Sequence, residues 1–205
     1  MSPITHFLGS WLIATATTSN SRDRKLVTLA GILPDLDGLG IIADLAGAML
    51  SGKESSFHYY QHYHHYLLHG WPGALFVTSL LAWFARQHWR VAILCLLMFH
   101  LHLVCDLIGS RGPTAGDLWP INYSEPLYRN PVFFWKGQWR LDGWQNRFIS
   151  IILVLTELGL ATRRCYSCVE LFSRKADSVF VSVLHKWRES LFAKTSLANR
   201  MRPKG

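Results

Sequence analysis

The most hydrophobic run of the chain, "VAILCLLMFHLHLVCDLIG" from Val91 to Gly109, contains polar residues that such a run normally excludes. Its length is about that of a membrane-spanning helix, yet His100, His102 and Asp106 lie within it. A carboxylate in apolar surroundings is costly unless it has a partner, and a metal ion is one of the few adequate partners. The run therefore predicts an apolar helix that carries a polar site.

The overall composition lies between that of a soluble domain and that of a polytopic membrane protein. Of the 205 residues, 50% are hydrophobic and 17% are charged, with a mean hydropathy of +0.14. Nine Trp and seven Tyr favour a membrane–water interface, and the net charge of +8 suits an anionic membrane surface or nucleic acid. A soluble basic protein is the alternative. Nucleic-acid binding is not expected, because the sequence has no recognisable reading helix or aromatic stacking module.

Helical signals elsewhere predict an all-α fold. We expect a helical bundle with several apolar, partly membrane-embedded helices and a long loop, rich in Gly, Pro and aromatic residues, over 110–145. Ser2 and Pro3 are typical of a helix start. A metal-site domain is predicted over 1–162, followed by an amphipathic basic helix and tail over 163–205. Neither a disulfide framework nor a cleaved signal peptide is expected.

Two short motifs offer carboxylates and an imidazole at spacings that can hold a cation. His102 and Asp106 are four residues apart, so a helix places both on one face with Cβ atoms about 5–6 Å apart. "PDLDG" adds Asp35 and Asp37 on a Pro/Gly turn between apolar segments. A His–Asp hydrogen bond within a core and an ordinary structural turn are the alternatives.

The stretch "FHYYQHYHHYLLHG" holds five of the ten histidines. On a helix, His58, His62, His65 and His69 fall roughly in line, and the last two have the i,i+4 spacing with which helices bind zinc. A pH-sensing cluster is the alternative. We expect His58 and His62 to lie outside the site.

These motifs and the histidine near the N-terminus form one set of imidazole and carboxylate ligands. Such a set suits Zn, Mn or Fe, and it is large enough for two ions. In two-metal sites, bridging carboxylates activate water for attack on phosphate or carboxylic esters. The set comprises His6, Asp35, Asp37, His64, His65, His69, His102 and Asp106.

The order of the motifs resembles the YdjM-like family of inner-membrane-associated, metal-dependent hydrolases. "SPITHFLGSWLIA", "LAGILPDLDGLG", "HHYLLHGWPGAL" and "HLHLVCDLIGSRGP…WPINYSEP" follow the family's pattern over residues 1–126. The resemblance implies a helical protein of the bacterial inner (cytoplasmic) membrane with a His/Asp metal centre. The ligands that it implies are His6, Asp35, Asp37, His64, His69, His102 and Asp106.

One departure from the family concerns its middle motif, His-Arg-x-x-Thr-His, which here reads "HHYLLH". His65 replaces the Arg and Leu68 replaces the Thr, so an expected anion contact is lost. The candidates to contact the substrate in its place are His65, Arg111 and Tyr123.

Together, the residues and the resemblance predict a membrane-associated, metal-dependent hydrolase. In this hypothesis a metal-bound hydroxide attacks an ester or phosphodiester of a small molecule or membrane lipid. His64 or His65 completes a coordination shell or moves a proton to the leaving group. The remaining ligands, for two ions that are Zn or else Mn or Fe, are His6, Asp35, Asp37, His69, His102 and Asp106. The alternative is a non-catalytic membrane protein whose ion serves structure, sensing or transport.

Overall fold

A computed structural model describes residues 1–52, 58–64 and 66–200, apart from the side chains at 61–62 and 191–200. Helices dominate it, so the predicted all-α class is confirmed. In chain order they are α1 (Pro3–Thr17), α2 (Ser21–Ala30), α3 (Gly40–Ser51), α4 (His58–Tyr63), α5 (Trp71–Trp83), α6 (His88–Gly109), α7 (Trp144–Arg164) and α8 (Arg174–Arg200). Short 3₁₀ helices span Leu33–Leu39 and Cys168–Leu171.

The chain divides into two compact units, Met1–Ser150 and Ile151–Gly205, and the division falls inside α7. The candidate site belongs to the first unit. A boundary between domains at residue 162 stays a prediction.

Helix α1 begins at the position that the sequence predicts. Ser2 is the N-cap, and its side chain accepts a hydrogen bond from Thr5 N at 3.3 Å. Pro3 occupies the first helical turn, where its missing N–H costs nothing. Because the cap fixes where α1 begins, it also fixes the direction in which His6 projects, one turn later.

Helix α6 is the centre of the first unit. It packs against α2 and α5, and α2 packs in turn against α1. The buried apolar side chains between these helices include Ala14, Val27, Ala30, Val77, Leu81, Val91, Phe99 and Leu103. Burial of each of the larger ones stabilises the fold by about 1.5–3 kcal/mol. These contacts hold the face of α6 that carries His102 and Asp106 towards α1 and α2.

Other positions of α6 and α5 leave large apolar side chains exposed, among them Phe76, Trp83, Ile93 and Leu97. Among the described residues, α6 is the helix that is long and apolar enough to cross a membrane by itself. Ser21–Ala30 and Leu33–Ser51 pass the same test as a pair, bent by 51°. Exposed apolar surface of this kind marks contact with a partner or a membrane.

The long loop after α6 contains a small antiparallel ribbon of β1 (Ile121–Asn122) and β2 (Val132–Phe133). The loop packs its backbone against the chain next to His69. Trp71 N donates to Tyr123 O at 2.8 Å, and a Cβ on Gly70 would lie only 2.5 Å from that same oxygen. Glycine is therefore required here so that the loop can approach the residue that follows His69.

Candidate metal centre

Helix α6 supplies the first two members of the site. His102 and Asp106 lie on one face, as their spacing predicts, with His102 Nε2 3.1 Å from Asp106 Oδ2. Both side chains are buried. The Ser110 hydroxyl donates to Asp106 Oδ1 at 2.9 Å, and the amino group of Met1 also contacts this oxygen.

Two elements that are distant in sequence bring further ligands to this face of α6. His6 of α1 stacks on the His102 ring, with centroids 3.8 Å apart, and its Nε2 lies 3.0 Å from Asp106 Oδ1. Asp35, in the 3₁₀ helix Leu33–Leu39, places Oδ1 3.6 Å from His102 Nε2. Its Oδ2 is buried and has no hydrogen-bond partner within the described part of the chain.

Asp37 lies beside these residues and organises two histidines of the His-rich stretch. Its two oxygens each meet one imidazole Nδ1 at 2.9 Å, Oδ1 with His64 and Oδ2 with His69. Leu68 N also donates to Oδ2, at 3.2 Å. Asp37 is thus tied to the segment between α4 and α5, and it directs both rings.

The hydrogen bonds of His69 and His102 decide which ring nitrogens can bind an ion. His102 Nδ1 lies 2.9 Å from Gly31 O, and a carbonyl oxygen only accepts, so this nitrogen carries the hydrogen. His69 Nδ1 faces the Asp37 carboxylate and carries a hydrogen for the same reason. In both neutral rings the lone pair is therefore on Nε2, and the two Nε2 atoms lie 3.3 Å apart.

These lone pairs and the carboxylates form a chain of neighbouring acceptors, which we call the acceptor cluster. It consists of His69 Nε2, His102 Nε2, the Asp106 carboxylate and Asp35 Oδ1. The measured separations within it run from 3.1 to 3.6 Å. Tetrahedral ligands at zinc distances of 2.0–2.2 Å lie about 3.3 Å apart. The atoms of the cluster are thus of the types that bind zinc, and these four separations are close to those between zinc ligands.

Within the described part of the chain, two groups of side chains have the closeness that a metal ion requires. Within each group, one ligand atom per residue lies within 4.8 Å of all the others. The groups are His6, Asp35, His102 and Asp106, and Asp37, His64 and His69. In the second group each close contact pairs an Nδ1–H donor with a carboxylate oxygen, so hydrogen bonds alone satisfy it.

The pKa values of two histidines reflect the same geometry. Burial lowers the pKa of His69, but the Asp106 and Asp37 carboxylates outweigh burial and raise this pKa to about 9. Burial and the neighbouring His102 lower the pKa of His6, although Asp106 opposes the change. Without an ion, the acceptor cluster therefore holds a proton on His69 at neutral pH, and an ion has to displace that proton.

We expect ion binding at pH 7 to release about one proton, and the apparent affinity to rise about tenfold per pH unit as His69 deprotonates. The rise should level off near pH 9, the pKa of His69 in the metal-free protein. Titration calorimetry in two buffers with different ionisation enthalpies measures the released proton. Identical heats in the two buffers at pH 7 would contradict the prediction.

The stability of the metal-free protein should have the opposite pH dependence. A pKa raised from 6.5 to about 9 contributes stability that is fully present below pH 6.5. This contribution is lost as the pH rises through about 9. Thermal unfolding of the chelated protein measures this contribution, which should be present at pH 6.5 and absent above pH 9. It tests the pKa of His69 independently of the calorimetry.

Several residues that position the site were not singled out from the sequence. Asp44 of α3 is buried and accepts hydrogen bonds from Tyr59 N (3.0 Å) and Tyr60 N (2.8 Å), which anchors the start of α4. Gln138 donates to Asp106 O at 3.1 Å and accepts from Trp119 N at 2.8 Å, so it fixes the loop to α6. A carboxylate inside the apolar α3 was a signal for Asp44. No comparable signal marks Gln138.

A small cavity of about 40 Å³ opens beside the cluster. Its lining includes Asp35, Asp106, His64 and Trp119, and a space of this size can hold a water molecule. The His64 ring packs edge-on against Trp119, with centroids 5.5 Å apart. A metal site with an adjoining space for water is typical of catalytic rather than structural centres.

The remaining predicted site residues lie elsewhere or outside the described part of the chain. Tyr123 donates its hydroxyl to His100 Nε2 at 2.8 Å, and both line an apolar cavity of about 140 Å³ that includes neither Asp35 nor Asp106. Arg111 lines a third cavity, of about 390 Å³, together with Arg140 and Asp142. His58 is exposed at the start of α4, as expected of a residue outside the site. His65 and the side chain of His62 lie outside the described residues.

Comparison with known proteins identifies one family. Residues 1–172 match the family described as YdjM inner membrane protein. The match includes every predicted ligand, and it extends beyond the segment in which the motifs alone show the resemblance. The curated proteins and the solved structures contain no match.

Proposed function

Because the chain belongs to the YdjM family of inner membrane proteins, we propose that it is a membrane-associated, metal-dependent hydrolase of ester or phosphodiester bonds. The observation that carries the proposal is the acceptor cluster beside the small cavity. Four acceptor groups lie close together there, and the Met1 amino group and the Ser110 hydroxyl both contact Asp106 Oδ1. The other acceptor atoms therefore favour a cation among them. The adjoining cavity supplies the space for a water molecule.

The side chains of the cluster would hold the ion. An ion of Zn, or else Mn or Fe, would act as a Lewis acid and lower the pKa of a water molecule. The Gly31 carbonyl orients His102 through Nδ1, and Asp37 orients His69 in the same way. Such outer hydrogen bonds keep the ligand nitrogens aimed at the ion. The proposed ligands are the four residues of the cluster, Asp35, His69, His102 and Asp106, together with His6, which lies in one group of close ligand atoms with three of them.

His64 is the proposed proton carrier. Its Nδ1–H donates to Asp37 Oδ1, so Nε2 is its basic nitrogen. The ring also lines the small cavity together with Asp35 and Asp106. His64 would therefore accept a proton from the attacking water and pass it to the leaving group. His65 would serve as the alternative carrier.

We assign one ion to the acceptor cluster. A second ion at Asp37, His64 and His69 would have to displace the Nδ1–H hydrogens that already satisfy Asp37. The two-ion site expected from the sequence stays a prediction, and the stoichiometry of bound metal tests it.

The position of the cluster along α6 favours a site near the membrane interface. His102 and Asp106 lie in the last two turns of α6, which ends at Gly109, whereas transport ligands are expected near the middle of a bilayer. The exposed apolar side chains of α5 and α6 would contact membrane lipid. A lipid ester or a small-molecule ester could then reach the site from the interface.

The test combines metal analysis with hydrolysis in detergent-purified protein. We expect about one ion per chain, and turnover of p-nitrophenyl acetate or bis(p-nitrophenyl) phosphate that chelation abolishes and metal restores. In Asp35→Ala, both the metal content and the turnover should fall.

Two outcomes would count against the hydrolase. Absence of stoichiometric metal, or unchanged metal in Asp35→Ala, would remove the metal centre itself. Stoichiometric metal without turnover on any ester would favour the non-catalytic alternative. A matched control is Asp117→Asn, because Asp117 is exposed and belongs to the loop after α6.

A further inference from the structure

A cavity of about 390 Å³ lies next to the small cavity of the metal centre, and we call it the anion pocket. It is lined by Arg111, Gly112, Pro113, Arg140, Leu141 and Asp142. Leu141 lines both cavities, and Ser110, which lines the small one, is the chain neighbour of Arg111. A molecule in the anion pocket would therefore lie beside the acceptor cluster.

The backbone holds Arg111 in place from both sides. Arg111 N donates to Trp139 O at 3.1 Å, and Leu141 N donates to Arg111 O at 2.9 Å. The two segments form a short parallel bridge between Arg111 and Arg140. The two arginines are thus brought side by side by main-chain hydrogen bonds.

The guanidinium of Arg111 has bonding capacity left. Its Nε is buried and has no hydrogen-bond partner among the described residues. Arg140, by contrast, donates to both oxygens of Asp142, at 2.9 and 2.7 Å. The nearby Asp117 carboxylate accepts from Thr114 N at 2.8 Å. A buried donor without a partner is costly, so an acceptor brought by a ligand would be favoured there.

We propose that Arg111, with Arg140 beside it, binds the phosphate group of the substrate. The inference rests on the proposed function and narrows it to phosphate esters among the possible ester classes. A guanidinium matches two phosphate oxygens with parallel N–H donors and keeps its charge at every relevant pH. Arg111 holds the phosphate next to the acceptor cluster, and Asp142 limits the positive charge of the pocket.

The first experiment measures binding of inorganic phosphate to the detergent-purified protein by titration calorimetry, with and without metal. Arg111→Gln should weaken binding by about tenfold or more, the effect of losing a charge-assisted hydrogen bond. The phosphate affinity of Arg111→Lys should lie between those of wild type and Arg111→Gln. Lysine keeps the positive charge but lacks the parallel N–H donors of the guanidinium. Asp142→Asn should tighten binding, since it removes a negative charge from the pocket. The matched control is Arg129→Gln, an exposed arginine of the same loop.

The second experiment separates this inference from the proposed function. Arg111→Gln should lower turnover of bis(p-nitrophenyl) phosphate by a much larger factor than turnover of uncharged p-nitrophenyl acetate. If Arg111→Gln hydrolyses both esters as fast as wild type and binds phosphate as tightly as Arg129→Gln, the anion pocket is refuted while the hydrolase stands. If wild type hydrolyses neither ester but Arg111→Gln still binds phosphate more weakly than wild type, the pocket stands and the hydrolase is refuted.

The source of the phosphate is decided by comparing soluble and membrane ligands. Vesicles of phosphatidylglycerol should compete with inorganic phosphate in an Arg111-dependent manner if the substrate is a lipid. Competition by soluble bis(p-nitrophenyl) phosphate but not by vesicles would assign the pocket to a soluble ester. Either result supports phosphate recognition, and competition by neither would contradict it.

Discussion

Replacement of Asp106 by asparagine is expected to abolish stoichiometric metal binding. Asp106 is the carboxylate that the other ligands share, with His102 at 3.1 Å, His6 at 3.0 Å and His69 at 3.6 Å. An amide removes the negative charge and places an N–H donor among nitrogens that should face a cation. The loss of affinity should exceed the roughly 10–100-fold that follows removal of an outer hydrogen bond. Hydrolysis should be lost with the metal.

The measurement is metal content per chain after purification and dialysis, together with hydrolysis of both p-nitrophenyl esters. Circular dichroism shows whether the helices are intact, so that loss of the ion is not confused with loss of the fold. Asp117→Asn makes the same chemical change at an exposed position and should retain wild-type metal content. If a folded Asp106→Asn protein kept its full complement of metal, the proposed centre would be wrong.

Asp37→Asn should have a different effect, because Asp37 acts through two histidines. An asparagine can accept from only one Nδ1–H, and its own amide N–H would face the other, since Asp37 meets His64 and His69 at 2.9 Å each. One ring must rotate or change tautomer. We expect metal affinity to fall by about 10–100-fold, with one ion still bound when metal is in excess. Hydrolysis should fall further, because His64 also loses its orientation.

The same substitution distinguishes a positioning residue from a ligand. If Asp37 binds a second ion, wild type should hold two ions and the variant one. If Asp37 orients His69 and His64, the stoichiometry should stay at one while the tautomer changes, which ¹⁵N chemical shifts of the histidine side chains report. Unchanged affinity, turnover and shifts would remove Asp37 from the site. Asp117→Asn, the same change at an exposed carboxylate outside the metal centre, is the matched control for metal affinity, stoichiometry and histidine shifts.

Local geometry explains which features could be predicted from the sequence. The four-residue step between His102 and Asp106 puts them on one face of any α-helix, so their contact requires no knowledge of the fold. Ser2 and Pro3 predict a helix start for the same local reason. The all-α class follows from repeated helical patterns. The resemblance drawn from motif order is confirmed by the family match over residues 1–172.

The roles of the two aspartates in "PDLD" could not be predicted in this way. Asp35 and Asp37 are two residues apart and chemically identical. In the fold, Asp35 faces His102 while Asp37 faces the Nδ1 atoms of His64 and His69. Which aspartate faces which histidines depends on how the 3₁₀ helix is held between α2 and the His-rich stretch. The anion pocket is likewise formed by segments that are distant in sequence, Arg111 to Pro113 and Arg140 to Asp142.

By itself, the sequence determined the chemistry of the site: imidazoles and carboxylates in apolar segments, in an order that matches one family. The tertiary structure decided which atoms of those residues meet. Whether His69 offers Nε2 to an ion depends on Asp37, and whether His102 does so depends on the Gly31 carbonyl. The physical reason is that spacing along a helix is set by covalent geometry, whereas hydrogen bonds between elements exist only after those elements have packed together.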